Sequence, residues 1–231
     1  MELSALEISA LELSLQVAVV SLLLSLPAGL AAAWVLARCR FLGKSLLDGL
    51  IHLPLVLPPV VVGYALLVLF GRRGPIGGWL HDALGITLAF NWKGAALASA
   101  VMAFPLMVRA MRLSLEGVDR RLEAAARTLG AGSARVFLTV TLPLMGPGII
   151  TGAILAFARS IGEFGATIAF VSNIPGETQT LPLALYALIQ QPDGDAAAMR
   201  LAVLAIAVAF AALLASEASA RGIARRIGGG A

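Results

Sequence analysis

Two charged side chains interrupt one of the apolar stretches of this chain: Arg159 and Glu163, in AFARSIGEFGATIAF. An ionised group at bilayer depth is costly, so such residues pair, face protein, or border an aqueous path. Four residues apart, they share a helical face. Two chemistries fit that placement. One is a structural pair, mutually neutralised, packed against another helix and hydrogen-bonded to backbone that prolines have opened in a neighbour. The other is an arginine turned to an aqueous path, lowering the barrier for an anion, with Glu163 holding it in place. The permanent acid weakens the arginine's pull on an anion, so the second reading points to a gate between two states rather than to a substrate site.

Little else in the chain is equipped for catalysis. His52 and His81 are the only histidines, and neither neighbours a ligand cluster, so no metal site is expected. The segment GRRGPIGG lacks the G-x-x-x-x-G-K-[ST] pattern that cradles nucleotide phosphates, so ATP hydrolysis is not expected of this chain alone. Cys39, the single cysteine, sits between Arg38 and Arg40; no intrachain disulfide can form, and a reduced, silent thiol is expected. Apart from Arg159 and Glu163, the apolar blocks hold no His/Asp/Glu or Ser constellation suited to a membrane-embedded enzyme.

The elements that carry these residues follow from composition. The 231 residues are 59% hydrophobic and 13% charged, against about 25% charged in a soluble domain. Five apolar blocks, near 13–37, 46–70, 89–111, 145–171 and 199–218, approach the roughly 20 residues a spanning helix needs. One polytopic helical domain over 1–231 is expected. The start carries Glu2, Glu7 and Glu12 and no Lys or Arg before Arg38, unlike a signal peptide, so the first block reads as a retained helix. The second contains Pro54, Pro58 and Pro59, which remove backbone donors and predict a kink. Gly148, Gly152, Ala156, Gly162, Gly165 and Ala166 in the fourth permit close helix approach, either in generic bundle packing or at a dimer axis.

The net charge of +4 is distributed as a topology signal rather than as a nucleic-acid surface. Arg38, Arg40 and Lys44 follow the first block. Arg109, Arg112, Arg120, Arg121, Arg127 and Arg135 cluster after the third, and Arg221, Arg225 and Arg226 close the chain. The other side holds only Arg72, Arg73, Lys93 and Arg200. With alternating spans, the N-terminus is expected outside and the C-terminus in the cytoplasm. The outer segments 71–88 and 172–198 each contain a short apolar stretch, read as interfacial helices or as a docking rim.

The cytoplasmic loop 113–143 has its own structure. Asp119 is an N-cap; Leu122, Ala125, Ala126 and Leu129 share a face; Glu123 and Arg127 form an (i, i+4) pair; Gly130 supplies the stop. A second helical stretch is predicted over 133–142, ending before Pro143. A helix of about ten residues is marginal in water and needs a partner. Docking against another protein and lying on the membrane surface both remain open on these grounds.

Glu123, Ala124 and Ala125, then Gly130, then Val140, Leu142 and Pro143 resemble the EAA signature of permeases in binding-protein-dependent ABC importers. HLPLVLPPVVVGY from His52, FPLMVRAMRLSLEGVD from Phe104, LEAAARTLGA from Leu122 and FARSIGEFGATIAFVSNIPGET from Phe157 resemble the bacterial molybdate permease family more specifically. Some of its members carry an additional N-terminal membrane helix, which is not expected ahead of the first block here.

The resemblance implies an all-α type I permease fold with five spanning helices and a cytoplasmic coupling helix. It implies a homodimer in the bacterial inner membrane, a pair of cytoplasmic ABC ATPase subunits that bind ATP and Mg, and an extracytoplasmic molybdate-binding protein. It implies no cofactor in this chain. Nothing in the residues separates molybdate from tungstate or sulfate. A stand-alone channel or secondary transporter would need no coupling loop and would usually show repeats, which are absent from the sequence.

Overall fold

The computed structural model describes residues 4–228, with the backbone alone for 212, 213 and 216–228. Glu2 and the side chains of Arg221, Arg225 and Arg226 therefore lie outside the described residues. Every regular element among the described residues is helical. Helix α1 (Ala5–Arg38) opens on a capping box, in which the Ser4 hydroxyl accepts from Glu7 N and the Glu7 carboxylate from Ser4 N. Its buried stripe runs Ala10, Ser14, Val17, Ser21, Ser25, Gly29, Ala33 and Leu36. Small side chains at this spacing let a neighbour come close. A Cβ on Gly29 would sit 2.8 Å from Met107 Sδ.

That neighbour is α5 (Trp92–Glu116), the central helix, which packs along α1 on one side and α9 (Gly146–Ile161) on the other. The end of α1 turns into α2 (Lys44–Val56), which is followed by α3 (Pro59–Phe70) and α4 (Pro75–Leu84). The loop after α5 forms α6 (Arg120–Thr128), α7 (Ser133–Val136), a π turn (Phe137–Thr141) and α8 (Leu142–Leu144). Beyond α9 come α10 (Gly165–Val171), α11 (Leu181–Leu188) and α12 (Asp195–Gly228).

The buried side chains fall into two main clusters stacked along the bundle. One holds Val17, Val62, Leu66, Ala95, Phe170 and Val171. The other, at the end that carries α6, holds Leu36, Met107, Met111, Leu115, Met145 and Ala156. Helices α1 and α5 run through both. The other two chains of packing change helix between them: α2 touches the second cluster through Leu47 and Ile51 and α3 enters the first, while α9 supplies Ala156 to the second and α10 supplies Phe170 to the first.

The proline expectation sharpens here. Pro54 sits inside α2 without ending it; the break comes at Leu57 and Pro58, where the chain turns through 115°. Each of these residues precedes a proline, which disfavours helical backbone. Both are extended, with ψ of 144° and 132°, and Pro59 then opens α3 from its first turn. The fourth apolar block is likewise broken, between Ile161 and Gly165, instead of forming one helix.

By length and apolarity, α1 and α5 can each cross a membrane, and the number rises to four if α2 with α3 and 133–144 with α9 are each counted as one bent span. The fifth block, 199–218, lies in α12, partly beyond the residues whose side chains are described.

Two further expectations change. The stretch predicted to end at Leu142 continues through Pro143 to Leu144, because the π turn lets Leu142 N–H reach Phe137 O and places the proline, which has no donor, in the first turn of α8. The two short outer helices also differ from each other. Helix α4 leaves Trp79 and Leu84 exposed, as an interfacial helix does. Helix α11 instead buries Leu181, Leu183 and Ala184, Leu181 and Ala184 clustering with Ala10 of α1 and Leu201 of α12, and Leu181 N–H donates to Ser14 Oγ at 2.7 Å. It is a packed element of the bundle.

Helices α3 and α10 meet backbone to backbone. A Cβ on Gly63 would stand 2.4 Å from Ala166 O, whereas one on Gly49 of α2 would meet nothing within 4 Å. Gly63→Ala is expected to destabilise by about 1–3 kcal/mol through overpacking, while Gly49→Ala is neutral or stabilising by up to ~1 kcal/mol. Thermal unfolding of the two variants in detergent checks the contrast, and equal melting temperatures would contradict it.

Candidate functional site

The loop between α5 and α9 builds its short helix from local rules. Asp119 Oδ1 accepts from Arg121 N at 2.9 Å, as an N-cap does. At the other end Ala131 N bonds Ala126 O, Gly130 N bonds Arg127 O, and Gly130 has φ of +85°. This is the Schellman closure that the glycine predicts.

Orientation departs from expectation. Leu122 and Leu129 are 49% and 88% exposed, and Ala124 and Ala125 are exposed beside them. Glu123, on the other side, is only 5% exposed. The expected Glu123–Arg127 pair is absent: Arg127 is exposed, and Glu123 Oε1 accepts from Arg38 Nη2 at 2.8 Å and from Thr141 Oγ1 at 2.9 Å. A carboxylate turned into the protein is better compensated by a buried guanidinium than by a solvated one. Arg38 also lies 6.0 Å from the Trp34 ring centroid, and Trp34 meets Phe137 of the π turn edge to face at 5.0 Å. Leu142 follows Thr141 directly and packs against the second cluster, whereas Ala124, Ala125, Gly130 and Pro143 stay exposed, so Glu123 and Leu142 are the residues singled out in the loop that are drawn in at the end of α1.

Arg40, Arg109, Arg120, Arg121, Arg127 and Arg135 stay exposed around this end. A second polar group lies beside them. Arg112 donates to Asp48 Oδ2 at 2.9 Å and to Glu116 Oε1 at 2.8 Å, and His52 Nδ1 is 3.1 Å from Asp48 Oδ1. These side chains border a cavity of about 410 Å³. Among the described residues, no group of three His, Cys, Asp or Glu side chains is placed to hold a metal ion.

Arg159 and Glu163 do form an ion pair. Glu163 is 2% exposed, and its other oxygen, Oε1, accepts from Ala166 N at 2.8 Å. The backbone it satisfies is thus that of its own broken helix, at the N-terminus of α10, where a carboxylate is electrostatically favoured. The prolines of the second block contribute packing instead: a Cβ on Gly165 would lie 2.7 Å from Pro59 Cβ. Both helix breaks therefore touch at one level of the bundle, with the ion pair on the α9 side.

Sequence reading missed Arg38 and Thr141 as partners of Glu123. Arg38 had an evident use as a topology charge, and no short-range rule links residues 85 and 18 positions away from Glu123. The Asp48–Arg112–Glu116 network escaped for the same reason on one side, although Arg112 and Glu116 are four apart and visible as a helical pair.

Residues 25–228 match the family model described as binding-protein-dependent transport system inner membrane component. The chain is 65% identical over 215 residues to the molybdenum transport system permease protein ModB of Escherichia coli (strain K12), covering 93% of this chain and 94% of that one. The protein of the same description from Haemophilus influenzae is 58% identical over 224 residues, with 97% and 98% covered. Among solved structures, a bacterial ABC transporter involved in the import of the acidic polysaccharide alginate superposes with TM-score 0.74 at 17% identity, covering 95% of this chain and 80% of that one, a likeness of fold alone.

Because Glu163 both pairs with Arg159 and caps α10, its substitutions separate the two jobs. Glu163→Gln keeps an acceptor for Ala166 N, whereas Glu163→Leu removes acceptor and charge together. The leucine variant is expected to be less stable than the glutamine variant by about 1–2 kcal/mol, the worth of a cap. Thermal unfolding in detergent measures this; a leucine variant as stable as the glutamine one would remove the capping role.

Proposed function

Since the chain belongs to the family of binding-protein-dependent transport system inner membrane components, we propose that it is the membrane-spanning subunit of an ATP-driven importer that takes molybdate into the cytoplasm. The observation that carries this reading is the 65% identity to a molybdenum permease over almost the whole of both chains. The exposed apolar face of α6 supports the dependence on a partner. Leu122, Ala125 and Leu129 face away from the bundle, while Glu123 holds the helix from beneath.

On this reading α6 is the coupling helix, and its outer face sits on a cytoplasmic ATPase that holds ATP and Mg. Two copies of this chain enclose the pathway about a two-fold axis, and a soluble molybdate-binding protein delivers the anion from outside. ATP-driven closure of the ATPase pair draws the coupling helices inward and opens the pathway outward. The bent pair α2 with α3 counts as one span, as does α9 with its flanks, and α12 is the fifth. The arginines around α6 support a cytoplasmic loop, an N-terminus outside and a C-terminus inside the bacterial inner membrane.

Arg159 and Glu163 belong to the gate. Their place at the touching breaks of α3 and α10 supports this, because a break is where a bent span can change its angle.

Uptake of labelled molybdate and sulfate by vesicles holding the complete complex tests the substrate. ATP-dependent molybdate accumulation exceeding that of sulfate is expected, and equal or greater sulfate uptake would reassign the importer to another oxyanion. In the same assay, Arg159→Gln with Glu163→Gln is expected to slow transport in an assembled complex; a normal rate would remove the gate.

The docking face has its own test. Leu129→Glu places a charge where an apolar contact is needed, and is expected to weaken co-purification of the ATPase at least about tenfold, the loss of one well-buried contact. Its melting temperature alone should match wild type, since Leu129 is 88% exposed. Undiminished co-purification would place the docking face elsewhere.

A further inference from the structure

Helix α6 has weak covalent tethers. It is joined to α5 through the three residues Gly117, Val118 and Asp119, and to α7 through the four residues Leu129, Gly130, Ala131 and Gly132. A nine-residue helix on such links cannot push or pull the membrane helices stiffly through its backbone alone. Among the described residues, Glu123 is the one side chain of α6 that is buried. Its oxygen Oε1 takes two donors from two different elements: Arg38, the last residue of α1, and Thr141, the last residue of the π turn that leads through α8 into α9. Arg38 and Glu123 side chains are 11% and 7% exposed, and Thr141 is fully buried.

Helix α1 is fastened at its far end in the same manner. Glu7, 1% exposed, accepts from Arg200 Nε of α12 at 2.9 Å. A 34-residue helix is thus pinned by a glutamate–arginine pair at its first turn and another at its last residue. The grip on α6 is also incomplete: Arg38 Nε is buried and has no acceptor, so the guanidinium makes one bond where it has the donors for a forked pair.

We infer that Arg38 and Thr141 are positioning residues for coupling, which with Glu123 form a latch that passes displacement of α6 to α1 and to α9 at once. The latch rests on the importer reading above and adds to it a route inside this chain. Glu123 in this role faces the permease interior and is not the group that touches the ATPase. Rotation or translation of α6 moves one carboxylate, and both α1 and the π turn must follow it or lose a hydrogen bond in a dry site, which is costly.

The test uses the full complex in vesicles with the molybdate-binding protein inside the assay. Two quantities are read: co-purification of the ATPase, and the ratio of ATPase rates with and without the molybdate-loaded binding protein. Arg38→Gln and Glu123→Gln are expected to retain the ATPase yet bring that ratio close to one. The reversed pair, Arg38→Glu with Glu123→Arg, is expected to recover more of the ratio than either reversed single variant. Thr141→Val, which keeps shape and the ion pair, is expected to lower the ratio by about threefold or more, as loss of one charge-assisted hydrogen bond does, and Thr141→Ser to restore it. A full ratio in both Arg38→Gln and Thr141→Val would overturn the latch, as would a Thr141→Ser variant no better than valine. Should the reversed variants fail to assemble, the Thr141 pair decides. A wild-type complex that binds no ATPase or shows no stimulation would instead sink the importer reading beneath it.

Discussion

Among the described residues three glutamates are buried almost completely, Glu7, Glu123 and Glu163, and each has an arginine against it from a second helix position: Arg200, Arg38 and Arg159. In a protein surrounded by hydrocarbon a carboxylate without such a partner would carry a large desolvation penalty. All three also serve backbone or hydroxyl donors. Glu7 accepts from Ser4 N, Glu163 from Ala166 N, and Glu123 from Thr141 Oγ1. The charges therefore lie where helices start, stop or break, because those are the places where the helix leaves its own groups unpaired. Their positions determine which helix ends are joined: α1 to α12, α1 to α6 and the π turn, and α9 to α10.

The packing around these joints follows from residue size. Where helices run past one another, as α1 past α5, serines, glycines and alanines fill the seam, and the backbones come close. In the second cluster Met107, Met111, Leu115 and Met145 surround the base of α1. The α6 loop stands on that cluster through Val118. Methionine adapts its shape at little cost, which on the importer reading suits a region that follows a moving helix.

Much of this was legible in the chain. The all-helical membrane character followed from composition, the ends of α6 from Asp119 and Gly130, and the Arg159–Glu163 pair from its spacing. Long-range partner choice was not. For Glu123, the sequence offered Arg127 at helical spacing, the correct expectation for an isolated solvated helix. It fails because the helix is inverted relative to a soluble one: the apolar residues Leu122 and Leu129 point outward and the acid points in. An apolar pattern locates a face but does not say whether that face meets the same chain or another. The break between α9 and α10 was hidden for a related reason. Glycines at 162 and 165 were read as seams for close packing, and Gly165 does face Pro59, but they also flank the residue whose carboxylate replaces the missing helical bonds.

The two breaks have one further property in common. Helix α2 gives way to α3, and α9 to α10, at the same boundary, the level at which one buried cluster ends and the other begins. Helices α1 and α5 pass that boundary unbroken. A bundle so divided has a natural mode of deformation: each half keeps its own close-packed core, which resists change, while the angle at the two breaks absorbs the motion. On the importer reading, movement entering at α6 reaches α1 through Arg38 and the α9 side through Thr141, and so arrives at both an unbroken strut and a hinged one. The unbroken helix can tilt only as a whole, held at its far end by Arg200, whereas α9 can turn against α10 at Glu163. Differential motion of these two neighbours, joined from the middle of α1 to the end of α9 by the Ser21–Ser160 hydrogen bond of 2.9 Å, is what the proposed gate at Arg159 requires.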